Sequence, residues 1–261
     1  MSEVLLDIRG LSIGLQQEDG VRDLLRDVSL NILPQETVSL LGGSGGGKTS
    51  LGLAILGLLP SAMKVHNGKI LFLGQDLLSL QRSSLRRLRG KEISMIFQEP
   101  LSAFNPVFRI GDQIAEVVQE HTDHPRAKIM DRVCTLLDMV EIPEPRRVAS
   151  AHPHQLSAGL RQRAMIAQAI AASPKVIIAD EPTSNLDVTV QARIIELFAK
   201  LKKQLSLSLL LITHDLGLVK AMSDRVFILY EGRIVEQGNT QDVLSHAHHD
   251  FTKRLITTIS L

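Results

Sequence analysis

The most constraining stretch of the chain is Gly42-Gly43-Ser44-Gly45-Gly46-Gly47-Lys48-Thr49. Five of its first six residues are glycine, and each glycine inside a helix or strand costs about 0.5–1 kcal/mol relative to alanine. The segment therefore reads as a loop whose backbone takes conformations closed to other residues. An apolar run at 37–41 precedes it and an apolar, helix-length segment follows, so the loop joins a strand to a helix. Backbone N–H groups curled by glycine, in front of the positive start of a helix, form a cradle for phosphate oxygens. The spacing matches G-x-x-x-x-G-K-[ST]. In that pattern the lysine, here Lys48, reaches β- and γ-phosphates, and the hydroxyl, here Thr49, ligates Mg²⁺. Gly42, Gly43, Ser44, Gly45, Gly46, Gly47, Lys48, Thr49 and Ser50 are the candidate phosphate-binding residues.

Short apolar runs alternate with helical periods along most of the chain. Residues 4–8, 28–32, 37–41, 69–73, 93–97, 176–180, 209–213, 226–230 and 234–236 are expected strands. Several are almost continuously apolar, as in strands covered on both faces. Pro34-Gln35-Glu36, Asn67-Gly68 and Glu231-Gly232-Arg233 are expected turns. Val190, Ile194, Leu197, Phe198 and Leu201 recur at helical spacing and mark one buried stripe. From about 111 to 172 no strand is expected: helical periods run through 110–120 and 127–139, and Pro143, Pro145 and Pro153 then break the pattern. The fold class is α/β with a mostly helical insert.

Composition excludes several classes. With 29 basic and 28 acidic residues, no general electrostatic attraction to nucleic acid is expected. The single Cys134 excludes a disulfide framework or a cysteine-ligated cluster within the chain. No run reaches the roughly 18 apolar residues of a membrane span, and Met1-Ser2-Glu3-Val4 lacks the basic-then-apolar pattern of a secretory signal. A cytosolic protein is expected. Only eight residues are aromatic, all at Phe72 or later.

The second half of a phosphate site is legible in Val176-Ile177-Ile178-Ala179-Asp180-Glu181. An apolar strand ending in Asp180 offers a carboxylate to Mg²⁺, directly or through water. Glu181, one residue on, is the candidate general base or water-positioning group.

Further segments resemble the ABC-transporter ATPases. Leu156-Ser157-Ala158-Gly159 is similar to their signature motif. Asp180-Glu181-Pro182-Thr183-Ser184-Asn185-Leu186-Asp187 is similar to their Walker B and D-loop, Leu211-Ile212-Thr213-His214-Asp215 to their switch-histidine segment, and Met95-Ile96-Phe97-Gln98-Glu99-Pro100 to their Q-loop. All stand in the family's order and spacing. The resemblance implies a P-loop NTPase with a RecA-like core, an N-terminal antiparallel β-subdomain and an inserted α-helical subdomain. Core and β-subdomain would occupy 1–98 and 165–261, and the helical subdomain 99–164, with the signature at its end. It implies ATP and Mg²⁺ as ligands. Glu181, His214, Lys48 and Gln98 would be catalytic; Thr49, Gln98 and Asp180 would hold the metal. Ser157 and Gly159 would cap the ATP of a second subunit, and Asp187 would link the two sites.

Ile96 to Pro100, the following Ser102-Ala103-Phe104-Asn105-Pro106-Val107, Ile234-Val235-Glu236-Gln237-Gly238 and His249-Asp250-Phe251-Thr252-Lys253-Arg254-Leu255 resemble the peptide/nickel importer branch. That implies work at the cytoplasmic face of a membrane with a second ATPase subunit, identical or different. Two permease subunits and an extracytoplasmic substrate-binding protein would complete the assembly. A soluble ATPase of DNA repair or translation is the alternative, although such proteins usually carry two cassettes or a coiled-coil insert.

The chain departs from the family in two places. Signature position three is Ala158 rather than glycine, which would cost about 1 kcal/mol or more if the backbone there needs positive φ or a close approach to phosphate. The aromatic that stacks on adenine in the family is replaced by Leu15, so nucleotide affinity should rest on the phosphate grip. The histidines His246, His248 and His249 are expected to be a solvated helix start rather than metal ligands.

Overall fold

The computed structural model describes residues 4–18 and 20–259. Its strands, in chain order, are β1 (Leu6–Gln17), β2 (Gly20–Ile32), β3 (Thr37–Gly42), β4 (Met63–Phe72), β5 (Gln75–Asp76), β6 (Ile93–Ile96), β7 (Val176–Asp180), β8 (Ser208–Thr213), β9 (Arg225–Tyr230) and β10 (Arg233–Asn239). The helices are α1 (Lys48–Ile55), α2 (Arg82–Leu88), α3 (Pro100–Ala103), α4 (Ile110–His121), α5 (Ile129–Met139), α6 (Pro145–Ser150), α7 (Ala158–Ala169), α8 (Val188–Leu205), α9 (Leu216–Met222), α10 (Thr240–Ser245) and α11 (Asp250–Ile259). None of them is long and apolar enough to cross a membrane. The chain divides into two compact units, one of residues 1–85 and 208–261, the other of residues 86–207.

In the first unit, β2, β1, β4 and β5 form an antiparallel sheet. Beside it, β3 pairs in parallel with β8 and β9, and β10 returns antiparallel to β9. All six residues of β3 and all six of β8 are buried, which fits their largely apolar sequences, with only small hydroxyl residues between. Leu41, Val219, Val226 and Ile228 form a core cluster against which Val235, Phe251 and Leu255 pack.

Two features of this unit differ from the sequence reading. The strand expected at 4–8 begins at Leu6 and runs on to Gln17, and its partner begins at Gly20 rather than 28. The outer part of this hairpin is solvated: Gln16, Gln17, Arg22 and Asp23 are exposed, so hydropathy gives no strand signal. Asn67-Gly68 is not a turn but lies inside β4. The register between β1 and β4 slips there, between Arg9↔Lys69 and Ser12↔Asn67. Gly68 has φ +98°, and a Cβ on it would lie 2.6 Å from Gly10 O and Leu11 Cα. The glycine marks a bulge pressed against the neighbouring strand.

In the second unit, β6 and β7 pair in parallel from Ile93↔Val176 to Ile96↔Ala179. Between them lie α3 to α7, with no strand, as the sequence predicts. Ile110, Ile114, Val118, Val133, Leu136, Leu137 and Val148 are buried at helical spacing. Pro145 opens α6, where its missing N–H costs nothing. The α8 stripe is confirmed for Ile194, Leu197, Phe198 and Leu201, with Val190 only partly buried.

Candidate active site

The loop after β3 is built by close approach and by backbone conformation. A Cβ on Gly42 would stand 2.4 Å from the carbonyl oxygen of Leu229, its partner on β9. Gly45 and Gly47 have φ of +75° and +90°, and a Cβ on Gly47 would meet Leu25 Cδ2 at 2.7 Å. These are positions where other residues are strained or excluded. Gly47 caps α1 without a side chain, and the first turn of α1 carries no acidic residue. The first turn of this helix thus has no side-chain cap and no carboxylate of its own to compete for its N–H groups, which suits the binding of an anion. Lys48 is buried, and its Nζ donates to Gly42 O at 3.0 Å and Gly43 O at 2.9 Å. The ammonium is thereby held over the loop. Ser44 and Thr49 are exposed. Ser50 is buried with its Oγ donating to Met63 Sδ at 3.6 Å, so its hydroxyl is turned from the loop.

In the same unit, Leu41 of β3 is in register with Thr213 of β8, which brings the Thr213–His214 corner to the same strand end as the loop. Thr213 Oγ1 accepts from the Asp215 N–H at 3.0 Å. Asp215 Oδ1 caps α9 through the N–H groups of Gly217 and Leu218 at 2.7 and 3.2 Å. His214, exposed, is carried on this doubly braced corner. Leu15 lies in β1 opposite Arg22 and Met63, partly buried.

In the second unit, the register of β6 with β7 brings Gln98 to the same edge as Asp180 and Glu181. Asp180 is buried and Gln98 exposed. Glu181 has φ +47°, a left-handed conformation uncommon for residues other than glycine, asparagine and aspartate. It is held there by Ser184, whose Oγ and N–H both donate to Glu181 O, at 2.9 and 3.1 Å. Sequence reasoning missed one tie: Asn185, itself at φ +63°, donates through Nδ2 to Glu99 Oε1 at 2.7 Å. This links the Gln98 segment to the turn after β7; both residues lay in quoted motifs, but nothing in their spacing paired them. Asp187 is exposed, and its Oδ1 accepts from Val190 N–H at 2.9 Å as the N-cap of α8.

The signature residues open α7. Ser157 Oγ caps it through Leu160 N–H at 3.3 Å, and Arg161 Nη1 donates back to Leu156 O. Ala158 is the first helical residue and is not among the positive-φ residues. Positive-φ strain is absent at this alanine, because a helix start uses the ordinary right-handed region.

The metal-ligand candidates, a threonine hydroxyl, a glutamine amide and an aspartate, offer oxygen only, which suits Mg²⁺ rather than a soft metal. Among the described residues no group of three His, Cys, Asp or Glu converges as a metal cage. At the C-terminal end, His248 and His249 donate their backbone N–H groups to Glu236 at 2.7 and 3.2 Å. His249 Nδ1 accepts from Phe251 N–H at 3.2 Å, so these histidines organise the start of α11. Burial pushes the Glu236 carboxyl up, the nearby Thr252 hydroxyl and the two histidine amides that donate to it push it down, and the net direction is down. Glu141, bonded by Lys200 and then Arg163, is likewise held below the ordinary carboxylate range. Each lowered carboxylate stabilises the fold above its unfolded pKa, and the contribution is lost as the pH falls through the folded value.

Comparison with known proteins gives the family of the chain. The ABC transporter family matches residues 25–184. A peptidoglycan transport ATP-binding protein of Agrobacterium fabrum is 44% identical over 256 residues, covering 98% of this chain and 47% of that protein. A dipeptide transport ATP-binding protein of Bacillus subtilis is 39% identical over 258 residues, covering 98% and 77%. The chain thus spans about half the length of the first relative and about three quarters of the second. A bacterial ABC transporter cassette solved as a dimer superposes with a TM-score of 0.80 at 25% identity, covering 90% of this chain and 98% of that one. The chain belongs to the ABC transporter family, among its ATP-binding proteins.

Proposed function

We propose that this chain is the ATP-hydrolysing subunit of an ABC importer and powers peptide uptake through a separate membrane permease. The observation that carries the reading is a single chain that holds both a glycine phosphate cradle after β3 and an Asp180–Glu181 corner after β7. That chain is similar over 98% of its length to a dipeptide transport ATP-binding protein. The relatives named for peptide and peptidoglycan transport favour peptides over nickel within the branch the sequence resembles.

Lys48 and the N–H groups of residues 43–49 hold the β- and γ-phosphates and stabilise the charge that develops on the γ-phosphoryl group. Glu181, fixed in its left-handed corner, orients the attacking water and takes its proton. His214 donates a hydrogen bond to a γ-phosphoryl oxygen. Mg²⁺, when bound, neutralises charge between the β- and γ-phosphates; Thr49, Asp180 and Gln98 would hold it. Ser157 and Gly159 of a second ATPase subunit cap the same nucleotide, so ATP joins two subunits, and Asp187 lies between the two sites. Adenine rests on aliphatic contact near Leu15, and the phosphates supply most of the affinity. The subunit works at the cytoplasmic face of the membrane, with two permease subunits and an extracytoplasmic substrate-binding protein.

Reconstitution of the chain with its permease and binding protein in lipid vesicles tests this reading. Short peptides should stimulate ATP hydrolysis at least about threefold over the peptide-free rate, whereas nickel salts should not. Hydrolysis stimulated by nickel and not by peptide would move the cargo from peptide to metal, and hydrolysis indifferent to both would remove the importer reading and leave a soluble ATPase.

A further inference from the structure

Residues 234–238 and 249–255, which resemble one importer branch, take no part in the nucleotide site, yet the fold joins them. The register of β10 on β9 slips between Ile234 and Glu236, so Glu236 stands opposite Ile228, a residue of the buried cluster. Residues directly opposite across two strands share a face, and a bulge is a device that re-aims a side chain. A carboxylate is thereby turned to the face that α11 covers, where it is costly unless its oxygens are bonded. They are bonded: Oε1 accepts from His248 N–H at 2.7 Å and Oε2 from His249 N–H at 3.2 Å. Thr252, fully buried, lies beside the same carboxylate. Phe251, the second residue of α11, stacks on Tyr230 of β9 with ring centroids 4.2 Å apart. The carboxylate and the ring pair together fix where α11 begins.

What α11 holds in place is α9. Phe251, Leu255 and Ile256 pack against the cluster that contains Leu216 and Val219 of α9 and Leu41 of β3. Leu216 stands two residues after His214, and the Asp215 cap ties that corner to the first turn of α9 through Gly217 and Leu218. The helix has seven residues and also borders an open cavity of about 690 Å³, lined by Leu216, Lys220, Leu244 and Ile256 among others. No strand ladder fixes it, so its seat depends on side-chain packing. Leu41 differs, because β3 is bonded to β8 on one side and to β9 on the other. A shift of α11 is therefore passed to the His214 corner and not to the phosphate loop.

We propose that Glu236 is a positioning residue for His214: by pinning the start of α11 it seats α9, and α9 sets the place of the His214 corner. This rests on the reading that His214 donates to a γ-phosphoryl oxygen, and it gives a task to both of the branch-like segments.

The test uses the full chain with Glu236→Ala, Glu236→Gln and Leu255→Ala, and Glu236→Ala again in a His214→Ala background. The readouts are ATP affinity, KM and kcat of hydrolysis, and amide hydrogen exchange. Glu236→Ala should lower kcat about fivefold, with ATP affinity and KM within about twofold of wild type. Amide exchange over residues 214–222 should quicken about tenfold, while that of residues 42–49 stays as in wild type. Glu236→Gln keeps one acceptor oxygen and should recover part of the loss. Leu255→Ala loosens the same helix by another route and should reproduce it. In the His214→Ala background the further effect of Glu236→Ala on kcat should be less than about twofold, the non-additivity of residues that act through one another. Wild-type kcat in both Glu236→Ala and Leu255→Ala, or a loss just as large without His214, overturns the proposal. Unchanged exchange in α9 overturns the seating of that helix, whatever the kinetics. Wild-type kcat in His214→Ala alone would instead overturn the reading of His214 beneath it, while the exchange rates still judge the hold of α11 on α9.

Discussion

At the start of α1 the backbone itself is unusual. Gly42 lies against a β9 carbonyl, Gly45 and Gly47 take positive φ, and no side chain caps the helix. At the start of α7 the backbone is ordinary: Ser157 is a side-chain N-cap, Ala158 is helical, and Gly159 has no positive φ, a Cβ on it meeting the Val190 side chain at 3.1 Å. Both helix starts offer N–H groups, but only the first requires residues that nothing except glycine can replace. A motif of the first kind tolerates little variation, whereas one of the second kind can accept Ala158 in place of glycine.

Substitution at the two starts should therefore differ in scale. The largest effect is expected from Gly42→Ala, where the methyl meets a backbone carbonyl that cannot turn aside. A loss of about 3 kcal/mol in urea unfolding, together with loss of ATP binding, is the expected result. Wild-type stability would mean that the loop does not depend on the β3–β9 approach. The smallest effect is expected from Ala158→Gly. Glycine at a right-handed helix position should lower stability by about 0.5–1 kcal/mol, again read by urea unfolding. A gain in stability would place Ala158 under strain and erase the contrast between the two starts.

The same contrast explains what the sequence made legible. Buried strands such as β3, β7 and β8 announce themselves as apolar runs, and the glycine loop announces itself because few other structures admit five glycines in six positions. The β1–β2 hairpin was legible only at its inner end, since its outer residues face water and carry no pattern. Asn67-Gly68 has turn composition, but its glycine serves a bulge against Gly10 and Leu11. The residues around Ser157 and Asp187 are ordinary helix caps, and only the resemblance of their order beside the phosphate loop made them candidates for the site. Long-range pairs such as Asn185 with Glu99, or Glu141 with Arg163 and Lys200, have no local signature, because their partners are brought together by packing.

The central claim is that Glu181 activates water for hydrolysis of a nucleotide gripped by the loop around Lys48. The most direct measurement is ATP binding and single-turnover hydrolysis of Glu181→Gln beside the wild-type chain. The change removes the carboxylate base and keeps the shape. The account predicts ATP affinity within about twofold of wild type and hydrolysis slowed by about a hundredfold or more. Wild-type hydrolysis by Glu181→Gln would contradict it.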